Sequence, residues 1–139
     1  MASTKSPLGP GEHVIFSYTT DDGIDDGLFT DLTKPLGLFL RMDCDITTFK
    51  FDPARIVVTQ GVMALIKVGP MVNVPALVPL LARHLAGDWG NTCPADWAAN
   101  DRDLGSKTGR LFSSYLLDKV KIWIITEPTV TTILLPSEY

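Results

Sequence analysis

The run Lys121-Ile-Trp-Ile-Ile-Thr-Glu127 constrains the fold more than any other stretch, because as a strand it is apolar on both faces. Ile122 and Ile124 then point to one side, and Trp123 and Ile125 to the other. Turn-like breaks at Asp118-Lys119 and Glu127-Pro128-Thr129 separate it from two further runs, Gly109–Leu117 and Thr131–Pro136, rich in aromatic and β-branched residues. The pattern predicts a three-stranded antiparallel meander with a buried central strand. A sheet apolar on both faces needs cover on both, and the rest of the chain must supply it.

That cover reads as helices. Thr59 is placed to cap a helix over Val62–Val68, with Val62, Leu65 and Ile66 inward and Gly69-Pro70 as its end. A second helix runs to Ala86, starting at Pro75 or at Pro79, with Leu77, Leu80, Leu81, His84 and Leu85 at helical spacing. A third, capped by Thr92 or Cys93 with Pro94 in its first turn, turns Trp97 and Leu104 inward. Between them Asp88-Trp89-Gly90-Asn91 reads as a turn presenting an indole, whereas Trp97 and Trp123 read as core. Short strands are expected at His13–Tyr18, Gly27–Leu32, Leu36–Met42, Ile46–Phe51 and Ile56–Val58. The expected class is therefore α+β: a C-terminal three-stranded antiparallel meander covered by two or three helices, with an acidic N-terminal region of short strands.

At 139 residues and 45% hydrophobic content, the chain can build one core, expected over residues 13–139 behind a frayed tail at 1–12. Cys44 and Cys93 have no partner at ligand spacing and read as free thiols of a reducing cytosol. No signal peptide opens the sequence, and the uncharged stretch Val68–Ala82 falls short of the roughly 20 residues that span a bilayer. A cytoplasmic protein without a membrane partner is expected. The net charge of −4 argues against a duplex-DNA binder. Nine acids stand against four bases within residues 1–52, which places an acidic face near the N-terminus.

No chemical signature emerges. The acids of Asp21-Asp22-Gly23-Ile24-Asp25-Asp26-Gly27 do not alternate as a calcium loop requires, and no Glu closes a twelve-residue loop. Gly105-Ser106-Lys107-Thr108-Gly109 lacks phosphate-loop spacing and precedes a strand. Ser113 and Ser114 have no nucleophile elbow around them to join His84 in a triad. His84 reads as a half-buried structural histidine, with Asp88 the nearest carboxylate in sequence for any acid–base role. No catalytic residue, metal ligand or cofactor is expected.

Two stretches carry a resemblance. Residues 17–32 contain Tyr18, Ile24, Asp26, Gly27 and Asp31, similar to the opening of a family of small uncharacterised plasmid and phage proteins. Thr20 stands there where Arg is usual, and Gly23 where Ala is usual. Gly87-Asp-Trp-Gly90, Trp97-x-x-Asn100-Asp101, Gly109-Arg-Leu-x-Ser-x-Tyr115, Lys121-Ile-Trp-Ile-Ile-Thr-Glu127 and Thr131-Thr-Ile-Leu-Leu-Pro-Ser-Glu-Tyr139 resemble a second such set, across nearly all of residues 55–139. Some of its members are labelled restriction-modification subunits, but this chain has no Pro-Pro of a methylase motif. It also departs from the set at Glu127–Val130, where the turn is shorter and lacks the usual Arg. The resemblance implies a mobile-element accessory gene rather than a reaction.

The expected function is thus non-enzymatic: a plasmid or phage protein that binds a protein partner, in concrete form an inhibitor of a host CRISPR or restriction complex. Asp21, Asp22, Asp25, Asp26, Asp31 and Trp89 are the expected contact residues, since an acidic face can compete for a basic nucleic-acid channel. A nucleic-acid-binding accessory factor using Arg102, Lys107, Arg110, Lys119 and Lys121 is the alternative, and a small enzyme centred on His84 and Asp88 is the third. The sequence carries no feature that sets an oligomeric state.

Overall fold

The computed structural model describes residues 27–104 and 109–139, so the expected tail and the His13–Tyr18 strand lie outside it. In chain order the described elements are β1 (Phe29–Asp31), α1 (Thr33–Asp43), β2 (Arg55–Thr59), α2 (Gln60–Leu65), the small hairpin β3 (Lys67–Val68) and β4 (Met71–Val72), α3 (Val78–Leu85), α4 (Pro94–Asp103), β5 (Leu111–Leu117), β6 (Val120–Glu127) and β7 (Val130–Leu134). Short 3-10 turns occupy Ile46–Thr48, Val74–Leu77 and Pro136–Glu138.

The architecture is α+β, but the sheet is not a simple antiparallel meander. β5 pairs with β6 and β6 with β7, all antiparallel, inside a five-stranded mixed sheet of order β1-β2-β7-β6-β5. β2 lies parallel to β7, with Ile56 opposite Thr131 and Val58 opposite Ile133. The physical reason is burial. All five residues of β7 are buried, so both of its hydrogen-bonding edges need partners. Ile56-Val57-Val58 is likewise apolar on both faces, the composition of a buried parallel strand.

Leu36–Met42 is not a strand but the body of α1. Leu36, Leu38 and Leu40 satisfy a period of two, while Leu32, Leu36 and Leu40 satisfy a period of four. The second set is buried, whereas Leu38 is 54% exposed. Ile46–Phe51 is also not a strand: the Asp45 carboxylate accepts the Thr47 amide at 3.0 Å and turns the chain into a 3-10 turn. α2 is shorter than expected, ending at Leu65, and Thr59 does not cap it, because its hydroxyl donates to Glu138.

One face of the sheet carries Ile56, Val58, Ile133, Ile122, Ile124 and Tyr115, covered by Leu36 and Leu40 of α1 and by Leu77, Leu81 and Leu85 at and before α3. The opposite face carries Phe29, Val57 and Val130 in a smaller cluster, with Ile125 and Leu134 also buried. α4 sits at the β5 end.

β5 is an edge strand, and its outward backbone groups are closed twice. The Asn100 side-chain amide accepts from the Phe112 amide at 3.1 Å and donates to its carbonyl at 2.6 Å. Two residues on, Ser114 donates to the Trp89 carbonyl at 3.2 Å and accepts from the Asn91 amide at 2.6 Å. A side chain and a turn thus stand in for a sixth strand, which removes a template for edge-to-edge association.

Candidate functional site

His84 enters the core from α3 and is completely buried. Its Nδ1 lies 2.5 Å from the Ser113 hydroxyl and its Nε2 2.8 Å from the Thr126 hydroxyl. Counting protons fixes the direction of the chain. Thr131 gives its only hydroxyl hydrogen to the Pro53 carbonyl at 2.7 Å, so at 2.8 Å it accepts from Thr126. Thr126 then has no hydrogen left for His84 and accepts from Nε2–H. The ring is therefore the neutral Nε2–H tautomer, and Nδ1 accepts from Ser113.

The serine–histidine contact invited by the sequence does form, but without the other parts of a nucleophilic site. Ser113 is also fully buried, and a threonine rather than a carboxylate holds the far side of the ring. Asp88 does not face His84. Its carboxylate is bound by Arg83 at 2.8 and 3.2 Å outside the core. That guanidinium holds the carboxyl below the usual carboxylate range.

Burial pushes the His84 ring down to about 3 from an ordinary value of 6.5. The unfolded chain takes up this proton below about pH 6.5, and the folded chain only near pH 3, so stability is lost as pH falls through that window. The expected slope is about 1.4 kcal/mol per pH unit. Urea unfolding at pH 6.5 and pH 5 should show it in the parent and not in His84→Gln. Equal slopes in the two proteins would rule out the buried neutral ring.

Of the expected partner-binding residues, only Asp31 and Trp89 are among the described ones. Asp21, Asp22, Asp25 and Asp26 lie outside the described residues. Asp31 accepts the Thr33 amide at 2.9 Å and ion-pairs with Arg55 at 3.1 Å, turning the chain into α1. Burial raises its pKa, but the Thr33 and Arg55 bonds outweigh that and hold it low. Trp89 is corrected outright: its indole is wholly buried, not presented to solvent. It stacks on Phe51 at 6.3 Å, meets the His84 ring edge-on at 5.5 Å and donates to Asp101 at 2.9 Å.

The described members of the alternative basic set do not share one patch. Lys107 is not among the described residues, and Arg102 lies 3.8 Å from Asp103. Lys119 occupies the β5–β6 turn, and Lys121 leaves it on β6. Arg110 precedes β5 at the other end of the hairpin, roughly 20 Å away by strand rise.

The residues that do converge form an open cleft of about 390 Å³, lined by Asp96, Ala99 and Asn100 of α4 and by Arg110, Phe112, Trp123 and Tyr139. Trp123 is thus half-buried in a cleft wall, not core. Phe112 and Tyr139 flank it at ring-centre distances of 5.0 and 5.5 Å, inclined to the indole by 78° and 77°. The hairpin register explains the first pair. Asp118 and Lys119 both have positive φ, 50° and 69°, as a two-residue type I′ turn requires. That turn sets Ser114 opposite Trp123 and leaves Phe112 on the adjacent diagonal of the same face.

Tyr139 is brought in by the Pro136–Glu138 turn, which Glu138 clamps by accepting from the Thr59 hydroxyl and from the Gly61 amide at 2.9 Å. Arg110 donates to the Tyr139 hydroxyl at 2.7 Å. Tyr139 was marked only as the end of the resembling stretch, with no role, whereas the pairing of Phe112 with Trp123 was recoverable from the turn.

Among the described residues no group of His, Cys, Asp or Glu is arranged to hold a metal ion, and no helix is long and apolar enough to cross a membrane. No protein-family model matches the chain, and neither a curated protein nor a solved structure shows significant similarity to it.

Proposed function

We propose that this chain is a non-catalytic binding protein that engages a protein partner through the aromatic cleft between α4 and the β5–β6 hairpin. One observation carries the reading. The open concave site gathers three aromatic rings and two charged side chains, while the histidine suited to acid–base work is sealed in the core as a neutral ring. Aromatic clefts of this size accept a side chain or a short segment of a partner. In the setting suggested by the sequence resemblance, the partner is a basic nucleic-acid-handling complex of the host, such as a CRISPR or restriction effector. The protein then acts on it as an inhibitor encoded by a plasmid or phage. The net charge of −4 favours encounter with a basic surface.

The test compares cross-linked complexes formed in host lysate by the parent and by the Phe112→Ala, Trp123→Ala double variant. The expected result is a partner held by the parent and lost at least ~10-fold in the variant, with the fold retained by circular dichroism. Capture indifferent to the cleft overturns the reading.

A further inference from the structure

We infer that the cleft receives a cationic side chain of the partner, an arginine in preference to a lysine, laid on the Trp123 ring and anchored by Asp96. The inference rests on the proposed binding role and names its chemistry. Trp123 with two rings inclined steeply to it offers several π faces to one small group, the arrangement that attracts a cation. The guanidinium already present, Arg110, is engaged with Tyr139: it bonds the hydroxyl and lies over that ring, 5.4 Å from its centre, which leaves the Trp123 ring to a second cation.

The cleft lining carries one acid, Asp96, and one base, Arg110. Asp96 is exposed, with no hydrogen bond or ion pair among the described residues. Glu127 ends β6 within electrostatic reach of Arg110. Burial raises the Glu127 pKa, and Arg110 lowers it only in part. Asp96 is left as the carboxylate without a counter-charge. A planar guanidinium can stack on the indole and donate two parallel N–H groups to Asp96; an ammonium makes only a point contact. A phosphate meets the opposite condition, since Asp96 repels it and the Arg110 guanidinium is already engaged with Tyr139.

The probe is N-acetyl-arginine-N′-methylamide, with its neutral citrulline counterpart as control and the lysine analogue as a third arm. The readout is the indole N–H resonance of Trp123 in the full-length protein. The arginine probe should shift it saturably in the millimolar range, and citrulline should bind ~10-fold more weakly or not at all. Lysine should fall between. Asp96→Asn should weaken arginine binding ~3- to 10-fold, with only the small drop in melting temperature that loss of an acid from the first turn of α4 brings.

Equal binding of citrulline, lysine binding tighter than arginine, no saturable shift with any probe, or an Asp96→Asn variant that binds arginine unchanged overturns the inference. So does displacement of the arginine probe by a short oligothymidylate, which assigns the cleft to nucleic acid. The two readings fail separately. Cleft-dependent capture of a partner without arginine binding leaves the binding role standing and removes the cation. Arginine binding with capture indifferent to the cleft does the reverse.

Discussion

Trp89→Ala should cost about 3–5 kcal/mol, the range for removing a fully enclosed aromatic side chain. Trp123→Ala should cost only about 1–2 kcal/mol, because its ring already has one side in water. The asymmetry reverses what the sequence suggests, since the strand-borne indole reads as core and the turn-borne one as open. Trp89 fills the end of the core between Phe51 and His84, and its loss also removes its 2.9 Å bond to the exposed Asp101 carboxylate. Trp89→Phe separates the contributions: it keeps a ring and drops the hydrogen bond, for a cost nearer 1–3 kcal/mol. Urea unfolding of the three variants provides the measurement. A Trp123→Ala protein less stable than Trp89→Ala would mean that the two indoles have been assigned to the wrong environments.

Gly90→Ala should be comparably damaging, at about 3–5 kcal/mol, for a different reason. A side chain there meets two obstacles. The backbone is left-handed, with φ of 69°, which costs a residue with a Cβ about 1 kcal/mol. The added carbon would also stand 2.2 Å from the Ser114 carbonyl oxygen and 2.6 Å from the Tyr115 ring. Backbone cannot give way as a flexible side chain can, so the turn must lift off β5. It would then release the Ser114–Trp89 and Asn91–Ser114 bonds, worth about 1 kcal/mol each.

Gly69→Ala is the internal control. Its φ is 61° and no atom lies within 4 Å of the added carbon, so it should lose only the conformational part, about 1 kcal/mol. Hydrogen exchange at the Ser114 amide should accelerate in Gly90→Ala and not in Gly69→Ala. Equal stability losses at the two glycines would show that the contact with β5 is not what fixes Gly90.

Where the sequence was legible, the signal was local. The two faces of β6 followed from an unbroken apolar run, and the turn at Asp118-Lys119 set the register that brings Phe112 and Trp123 together. Where it misled, two periods or two environments fitted the same residues. Leu36, Leu38 and Leu40 alternate well enough to suggest a strand, and only the fourfold spacing of Leu32, Leu36 and Leu40 onto the core decides for α1.

Trp89 lies in a turn, where exposure is the default. Its burial depends on Phe51 and Asp101, which approach it only in the folded chain. The cleft was half readable for the same reason. Two walls come from one hairpin, but Tyr139 arrives through a turn that Glu138 ties to Thr59 and Gly61, a contact between distant parts of the sequence. The parallel pairing of β2 with β7 is long-range in the same sense, and local turn signals pointed only to the C-terminal strands.

The position of β7 has a consequence for synthesis. Val130–Leu134 is the last strand of the sheet to be made, yet it lies at the sheet's centre, between β2 and β6. A nascent chain that has reached only Pro128 has both β2 and the β5–β6 hairpin, with nothing to join them. The Ile56–Val58 run then waits with an open edge, and the full sheet can form only after β7 has cleared the ribosome. Closure of that long loop around a central strand should set the pace of folding. A chain truncated in the Pro128-Thr129 turn and released would hold two unpaired strand edges, a natural substrate for chaperones and proteases.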